Sequence, residues 1–374
     1  MRILTVFGTR PEAIKMGPVI RALGADPAFQ PVHLATAQHR DLLDEVLRVF
    51  EITPDHDLDV MTADQQLADV TARCVTGIDR ILKDEGPAMV LAQGDTTTVM
   101  AAALAAYYNR IPFGHVEAGL RTDDKFSPFP EEINRRVAGT LTDLHFAPTA
   151  QARANLLREG VPDAWIHVVG NTVVDAVEAI AAHDASTAPL PPGTEALLAR
   201  VEHPVLVTAH RRESFGEPME QICRALREIA DTHPSVGLVF PVHPNPNVRR
   251  TVNAILAGHD RILLLEPVDY LQFVHLMKRC HFILTDSGGV QEEAPSLGKP
   301  VLVLRERTER PEGIAAGVAR LVGTRRERIV AAATALLTEP AEYAAMTGAG
   351  NPYGDGHAGE RIAAIIKDYL GRRP

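Results

Sequence analysis

Two carboxylates follow neighbouring predicted strands and have the chemistry of a general acid and a general base. Asp95 comes just after the apolar run Met89 to Ala92, and Glu117 just after Pro112 to Val116. The carboxyl ends of parallel strands meet at one sheet edge, so we expect these two side chains to lie close together. Such a pair suits proton transfer. Structural alternatives are a helix cap for Asp95 and an ion pair with Arg121 for Glu117.

A second stretch has the composition of an anion site. Phe282 to Thr285 is a predicted buried strand, and Asp-Ser-Gly-Gly then opens a helix that Pro295 shortens. Ser287 can cap that helix, and Gly288 and Gly289 would let backbone N–H groups approach an anion at its positive end. Three arginines follow the next strand, at positions 305, 307 and 310. The alternative is a tight turn with no ligand.

The start of the chain repeats this strand, turn and helix pattern. Ile3 to Phe7 is a predicted strand, Gly-Thr-Arg-Pro forms the turn, and a helix carrying Lys15 follows. Arg10 and Lys15 are therefore candidates to meet a phosphate at the strand's carboxyl end. The turn has neither the G-x-G-x-x-G pattern nor the P-loop Gly-Lys-Ser/Thr, so the sequence predicts no dinucleotide cofactor.

Strands alternate with helices along the chain, which predicts an α/β fold with parallel sheets covered on both faces. At 374 residues the chain is long for one domain. We predict a first Rossmann-like domain from residues 1–170 with 357–374, and a second from 171–356. Asp355 is predicted to cap a last helix, His357 to Leu370.

The composition of the chain limits which binding partners are expected. The net charge of -10 argues against nucleic acid. The sequence contains no apolar run long enough to predict a membrane span, and it begins directly in a strand without a signal peptide. We therefore expect a cytoplasmic protein. Three separated cysteines give no metal or redox motif. Asp55 to Asp59 contains a D-x-D triplet, but this pattern is common, and we predict no metal site.

Motifs from residue 2 to residue 356 together resemble the non-hydrolysing UDP-N-acetylglucosamine 2-epimerases. They are, in chain order, FGTRPEAIKMGPVI, QGDTTT, HVEAGLRT, PFPEEINRR, VTAHRRES, LTDSGGVQEEAPSLGKPVLVLRERTERPE and NPYGDG. The resemblance covers nearly the whole chain. It implies the GT-B type of fold, in which two Rossmann-like domains face each other across a cleft. It also implies that the last helix crosses back to the first domain.

The resemblance implies interconversion of UDP-N-acetylglucosamine and UDP-N-acetylmannosamine. Departure of UDP from C1 would acidify the C2 proton, a base would remove it, and 2-acetamidoglucal and UDP would recombine with C2 inverted. Asp95, Glu117 and Glu131 fit the proton transfers, and His210 fits stabilisation of the leaving UDP. For His210 the alternative is a core histidine. The residues leave open which carboxylate is the base.

The resemblance also implies further contacts. Glu293 matches the ligand of the ribose diol, and Phe273 matches a wall of the uracil pocket. The implied substrate-binding set is Arg10, Lys15, Asp95, Glu117, His210, Gln272, Phe273, Ser287, Gly288, Gly289, Glu293 and Arg310. A second UDP-N-acetylglucosamine is implied as an activator, with a pocket formed by Gln38, Arg73, Glu131, Arg211 and His243. A homodimer is also implied.

Three other functions remain open at this point. A hydrolysing epimerase would release free N-acetylmannosamine, although the Gly-Thr-Arg-Pro-Glu start resembles the non-hydrolysing branch. A glycosyltransferase of the same architecture would transfer the sugar to an acceptor and usually carry a basic or apolar membrane-facing patch, which the sequence does not show. A non-catalytic sensor of UDP-sugars would not need Asp95, Glu117, Glu131 and His210 together.

Overall fold

The computed structural model describes residues 1–36, 40–61, 65–183 and 189–372. Contacts within the chain group it into two compact units, Met1–Ala176 with Tyr353–Pro374, and Val177–Pro352. The predicted domain limits at residues 170 and 356 lie near these unit limits and stay a prediction. No helix in the described part of the chain is long and apolar enough to cross a membrane.

The first unit contains a sheet of seven parallel strands in the order β3-β2-β1-β4-β5-β6-β7. The strands are β1 (Arg2–Phe7), β2 (Gln30–Ala35), β3 (His56–Asp57), β4 (Met89–Gln93), β5 (Phe113–Val116), β6 (Leu144–Ala147) and β7 (Ile166–Val168). The helices that begin in this part of the chain are α1 (Arg10–Ala25), α2 (Arg40–Val49), α3 (Leu67–Glu85), α4 (Thr97–Tyr108), α5 (Glu131–Leu141), α6 (Ala150–Arg158) and α7 (Thr172–Ala181).

The second unit repeats this arrangement with six parallel strands in the order β10-β9-β8-β11-β12-β13. These are β8 (His203–Thr208), β9 (Val236–Pro241), β10 (Ile262–Leu265), β11 (Phe282–Thr285), β12 (Val301–Val303) and β13 (Ala319–Leu321). The remaining helices are α8 (Thr194–Arg200), α9 (Glu217–Thr232), α10 (Pro246–Leu256), α11 (Tyr270–Arg279), α12 (Gly288–Glu293), α13 (Pro311–Ala315), α14 (Arg326–Thr338), α15 (Pro340–Gly348) and α16 (Ala358–Gly371).

Apolar strands explain why both sheets are covered on two faces. Leu4, Val6, Val90 and Ala92 of the first sheet are buried, and the second sheet buries Phe282 and its neighbours in the same way. A strand buried on both faces reads as a continuous apolar run, and α/β folds supply helices to cover it. The predicted fold class, with two Rossmann-like parallel sheets, is confirmed.

The last helix returns to the first unit, as expected. The residues of α16 that face α1 are buried, among them Ile362 and Ile366. The predicted cap of this helix is wrong, because His357 is the N-cap. Asp355 instead forms two hydrogen bonds to the Arg361 guanidinium, which lowers the pKa of the Asp355 carboxyl to about 2.

The strand order gives each sheet one point at which the winding reverses. In the first unit that point lies between β1 and β4, and in the second between β8 and β11. Connections from these adjacent strands leave in opposite directions, so a crevice opens beyond their carboxyl ends, where open α/β sheets bind ligands. The loops after these four strands are therefore expected to carry ligand-binding residues.

Candidate active site

Glu117 is the most constrained residue at the carboxyl edge of the first sheet. It follows β5 with a φ of 63°, a left-handed conformation that non-glycine residues rarely adopt and that clusters at functional sites. Its buried carboxylate accepts hydrogen bonds from Lys15 of α1 and from Gln93 at the end of β4. Asn171 Nδ2 donates a third at 3.2 Å. Three separate elements therefore fix this carboxylate.

Asp95 follows β4 in the loop next to this group, and the closeness of its carboxylate to that of Glu117 stays a prediction. The Glu117 Oε2 atom is 3.8 Å from the point that a Cβ on Gly94 would occupy, one residue before Asp95. Asp95 Oδ2 lies 3.3 Å from Arg135 Nη2, and Asn134 donates to the Asp95 carbonyl at 3.0 Å. Both partners belong to α5.

Glu131 is the first residue of that same helix, α5. The helix is anchored on Asp95 through its second turn, so Glu131 begins the element that packs on the Asp95 loop. Its Oε2 atom is buried and has no hydrogen-bond partner among the described residues. Buried polar atoms are nearly always paired, and an exception calls for an explanation.

The structural alternatives for the two strand-end carboxylates are wrong. The helix after Asp95 is capped by Thr96, whose hydroxyl accepts from the Val99 N–H at 3.4 Å. Arg121 forms two hydrogen bonds to Glu159, at 2.6 and 2.8 Å, instead of pairing with Glu117. The carboxylates of Asp95 and Glu117 are therefore not used in those ways.

Glu12 links the loops on either side of the reversal point in this sheet. Its Oε2 atom accepts from the N–H groups of Gly8 and Thr9, at 3.1 and 2.7 Å, after β1. Its Oε1 atom accepts from the Thr96 hydroxyl at 2.6 Å, after β4. Burial raises the pKa of the Glu12 carboxyl to about 6, against the lowering effect of these hydrogen bonds. Arg10 begins α1 directly beyond this loop.

His210 and Asp286 form the corresponding centre of the second unit. Asp286 follows β11 and is completely buried, and its Oδ2 atom accepts from the N–H groups of His210 and Arg211, both at 2.8 Å. Its Oδ1 atom lies 3.4 Å from His210 Nδ1. Burial lowers the pKa of His210, the Asp286 charge raises it, and His243 and Arg211 lower it. The imidazole is thus held after β8 by the end of β11.

Cationic groups surround the start of α12 in this unit. A Cβ on Gly288 would lie 3.5 Å from the guanidinium carbon of Arg310 and 3.7 Å from Nη2 of Arg211. Arg310 Nε also donates to Glu292 at 2.8 Å. The His243 ring stacks on His210, with centroids 5.4 Å apart and planes 13° apart. The buried Gly288 thus lets two guanidinium groups come close to the backbone, as an anion site would need.

The end of β11 differs from the prediction in one respect. Ser287 occupies the N-cap position of α12, but its side chain makes no capping hydrogen bond. Its N–H instead donates to Thr285 Oγ1 at 2.9 Å. The α-helix has only six residues and continues as a 3-10 turn at Ala294–Leu297, because Pro295 cannot supply the next backbone N–H. Gly289 lies near the hydroxyl of Ser287.

Glu293 and the start of α11 lie together in this unit. Tyr270 donates its hydroxyl hydrogen to Glu293 Oε1 at 3.2 Å, and Glu293 is buried. Gln272 takes part in the capping box of α11 and donates through Nε2 to the Pro189 carbonyl at 2.7 Å. Phe273 is the next residue and is half-buried.

The described residues of the implied activator pocket belong to both units of the chain. Arg211 and His243 both contact the His210 centre of the second unit. Arg73 lies on α3 and donates to the Val60 carbonyl at 3.2 Å. Gln38 lies outside the described residues. Glu131 belongs to the carboxylate group of the first unit.

The aspartates of the D-x-D triplet accept backbone hydrogen bonds at the edge of the first sheet. Asp55 Oδ2 accepts from the His33 N–H at 2.7 Å, and Asp57 Oδ1 accepts from the Asp59 N–H at 3.0 Å. His56 between them contacts Glu85 at 2.8 Å. Within the described residues no group of three or more His, Cys, Asp or Glu side chains is arranged to hold a metal ion.

Comparison with known proteins identifies the family. The model of the family described as UDP-N-acetylglucosamine 2-epimerase matches residues 21–367. The chain belongs to the UDP-N-acetylglucosamine 2-epimerase family. It is 54% identical over 372 residues to the UDP-N-acetylglucosamine 2-epimerase of Yersinia pestis, covering 99% of each chain.

Solved structures of family members share the whole fold. The UDP-GlcNAc 2-epimerase of Neisseria meningitidis, in a crystal structure bound to UDP-GlcNAc, matches with a TM-score of 0.89 and 45% identity, covering 98% of this chain and 100% of that one. The UDP-GlcNAc 2-epimerase of Methanocaldococcus jannaschii matches with a TM-score of 0.84 and 34% identity, over the same shares.

Four polar residues in these centres were not among the predicted site residues of this family member. Glu12 could have been found from the Thr-x-x-Glu spacing of a capping box, which the structure confirms with Thr9. Asp286 follows a strand end beside the predicted anion site, which is the same signal that identified Asp95. Gln93 and Asn171 carry no local signal, because only the tertiary fold brings them to Glu117.

Proposed function

We propose that this chain interconverts UDP-N-acetylglucosamine and UDP-N-acetylmannosamine without hydrolysing them. The observation that carries the proposal is Glu117, whose backbone is strained and whose carboxylate is held by Lys15, Gln93 and Asn171, next to the loop that carries Asp95. Strain persists only where the surroundings enforce it, and a fixed carboxylate pair is what proton transfer at one carbon atom requires.

The reaction we propose is an elimination followed by an addition. The C1–O bond breaks and UDP leaves with the electron pair, while a carboxylate takes the C2 proton and a C1=C2 double bond forms. The products of this half are 2-acetamidoglucal and UDP. In the second half a proton is delivered to the opposite face of C2 and UDP re-forms the bond to C1. Asp95, Glu117 and Glu131 are the proposed acids and bases.

The leaving diphosphate needs positive charge. We assign this role to His210, Arg211 and Arg310 of the second unit, and we propose Arg10 and Lys15 as further substrate contacts. We assign Ser287, Gly288 and Gly289 to the diphosphate, Glu293 to the ribose diol, and Gln272 and Phe273 to the uracil side. Preorganised donors aimed at developing negative charge are usually the largest single contribution to such a step.

Amide variants test the carboxylates. Asp95→Asn, Glu117→Gln and Glu131→Gln should each retain the fold, checked by circular dichroism, and lower kcat by about two orders of magnitude or more. Glu159→Gln is the matched control, since Glu159 also pairs with an arginine in this unit yet is proposed to have no catalytic role. Near-normal kcat in all three variants would refute the assignment.

We also propose that a second UDP-N-acetylglucosamine activates the enzyme, through Gln38, Arg73, Glu131, Arg211 and His243. The stacking of His243 on His210 supports this proposal, because a ligand that contacts one ring would affect the position of the other. UDP-N-acetylmannosamine alone should then react slowly, and a trace of its epimer should accelerate it. Full speed without the trace rejects activation. We further propose a homodimer, which light scattering would contradict by giving a mass near 40.6 kDa.

A further inference from the structure

The Asp286 carboxylate makes contacts that the proposed chemistry has not yet used. Asp286 is completely buried after β11, and its backbone N–H donates to the Thr208 carbonyl of β8 at 3.1 Å. The hydroxyls of Thr208 and Thr285 lie 2.6 Å apart and bond the ends of the same two strands. The carboxylate is therefore fixed on the rigid edge of the sheet.

The two oxygens of this carboxylate do different things. Oδ2 accepts two backbone N–H groups, from His210 and Arg211, which fixes the chain where it leaves β8. Oδ1 is buried and accepts no hydrogen bond within standard limits from any described residue, and the atom it faces is His210 Nδ1, at 3.4 Å. A buried carboxylate oxygen needs a donor, and a protonated Nδ1 is one.

We infer that Asp286 is a positioning residue: it holds the His210 imidazole with Nδ1 protonated, so that the ring can carry a second proton at Nε2 and present it as an N–H donor to the departing diphosphate. A hydrogen bond at one ring nitrogen decides which tautomer is present and how the ring is turned. Asp286 does not touch the substrate and acts through His210. The inference rests on the proposed role of His210 in the departure of UDP.

The other groups that face this histidine make such a partner necessary. Arg211 is the next residue, the His243 ring stacks on the imidazole, and Arg310 flanks Gly288 together with Arg211. The two arginines bring positive charge near the imidazole, and the His243 ring competes with it for a proton. The Asp286 charge is the one that favours a protonated ring, since burial, His243 and Arg211 all lower the pKa of His210.

Asp286→Asn tests the inference with little change of shape. The amide oxygen can still accept from the N–H groups of His210 and Arg211, but the amide nitrogen then faces Nδ1 as a donor. The neutral ring must answer with an unprotonated Nδ1, so its proton moves to Nε2. With an amide N–H facing Nδ1 the ring cannot take up a second proton there and stays uncharged beside the diphosphate. We therefore expect kcat to fall about 100-fold, the lower end of the cost of losing preorganised stabilisation of negative charge, with KM changing much less.

The tautomer can be read without any assay of activity. In protein carrying ¹⁵N-labelled histidine, the signals lost in His210→Ala identify this residue among the 15 histidines. At a pH where the ring is neutral, we expect Nδ1 to be protonated in the wild type and Nε2 in Asp286→Asn. An Nε2–H tautomer in the wild type would overturn the inference, and this measurement stands even if the variant does not fold.

A double-mutant cycle separates positioning from general structural support. Asp286→Asn should lower kcat no further in a His210→Ala background, because it acts through that ring. Independent losses would overturn the inference. Asp231→Asn is the matched control, since Asp231 lies 3.1 Å from His259 Nε2 elsewhere in the unit and should leave the His210 signals unchanged. Normal turnover of His210→Ala would refute the proposed role of His210, while the tautomer measurement would still test Asp286.

Discussion

At the scale of the residue, Glu12 is a buried acid whose carboxyl is easier to protonate in the folded protein than in the unfolded chain. It is 1% exposed, and burial raises the pKa of its carboxyl from 4.5 to about 6. The folded protein therefore binds this proton more tightly than the unfolded chain does. The resulting stabilisation is fully present below pH 4.5 and is lost as the pH rises through about 6.

The variant Glu12→Gln should remove this pH dependence. The amide oxygen can accept from Gly8 and Thr9, and the amide nitrogen can donate to the Thr96 hydroxyl, so the loop contacts survive. Between pH 4.5 and pH 7 the wild type should lose about 2 kcal/mol of stability that the variant keeps. Thermal unfolding at both pH values measures it, with about 2–4 °C expected per kcal/mol.

The control is the comparison of wild type and Glu12→Gln at pH 4.5. At that pH the folded proteins both carry a neutral side chain at position 12, so their melting temperatures should nearly coincide. All other titrating groups are shared, so they cancel in the difference. A difference between the two proteins that does not change with pH would show that the Glu12 carboxyl has the same pKa in the folded and unfolded states, and would contradict the prediction.

The sequence predicted which candidate site residues follow strands, and it gave no sign of the contacts that only the tertiary fold brings into place. Asp95 and Glu117 were found because parallel strands end at one edge, whatever the details of packing. Asn171 was missed because it begins a helix far along the chain from Glu117. No local pattern encodes such a contact, and the left-handed conformation of Glu117 is equally invisible in the residue letters.

At the scale of the element, the contact between α1 and α16 is close enough to exclude one methyl group. A Cβ on Gly359 would lie 2.7 Å from the Pro18 carbonyl oxygen and 2.9 Å from its carbon, both backbone atoms. The Gly359 N–H donates to Asp175 Oδ1 of α7 at 2.8 Å. Gly359 therefore sets how closely the returning helix can approach the first unit.

We predict that Gly359→Ala destabilises the protein although alanine favours helices. Overpacking against backbone costs about 1–3 kcal/mol, which exceeds the gain of about 1 kcal/mol from helix propensity. Gly371→Ala is the matched control at the end of the same helix, because its Cβ would meet no described atom within 4 Å. Thermal unfolding should show a lower midpoint for Gly359→Ala alone. Equal midpoints for both variants would contradict the tight contact.

Element boundaries were predicted least well where caps and short helices decide them. The core strand β11 was placed to the residue, since a four-residue apolar run followed by turn residues favours a buried strand. The last helix was given the wrong cap, because the Asp355 carboxylate pairs with Arg361 instead of the helix N–H groups. Aspartate suits both roles, and the choice depends on where Arg361 lies.

At the scale of the whole molecule, one topology is used twice with opposite chemistry. Each unit has a parallel sheet that reverses its winding between two strands, and each carries polar residues beyond the carboxyl ends of those strands. The first unit collects carboxylates there, and the second collects a histidine and arginines. This division matches an elimination, which needs both a base for the proton and positive charge for the leaving group.

The elimination makes a prediction about one hydrogen atom, and the reaction in deuterium oxide tests it. If the C2 proton passes to a carboxylate that exchanges with solvent, both the product and the recovered UDP-N-acetylglucosamine should gain deuterium at C2. Traces of UDP and 2-acetamidoglucal should appear in the same sample. The reaction should proceed with EDTA and without added nicotinamide, and mass spectrometry with proton NMR reads every species.

The same sample separates the alternatives. Accumulation of free N-acetylmannosamine would indicate a hydrolysing enzyme, and a lack of reaction without an acceptor would indicate a transferase. A requirement for a redox cofactor would indicate oxidation at another carbon. The proposed mechanism predicts C2 deuterium in both epimers, and epimerisation over many turnovers with no deuterium at C2 would contradict it.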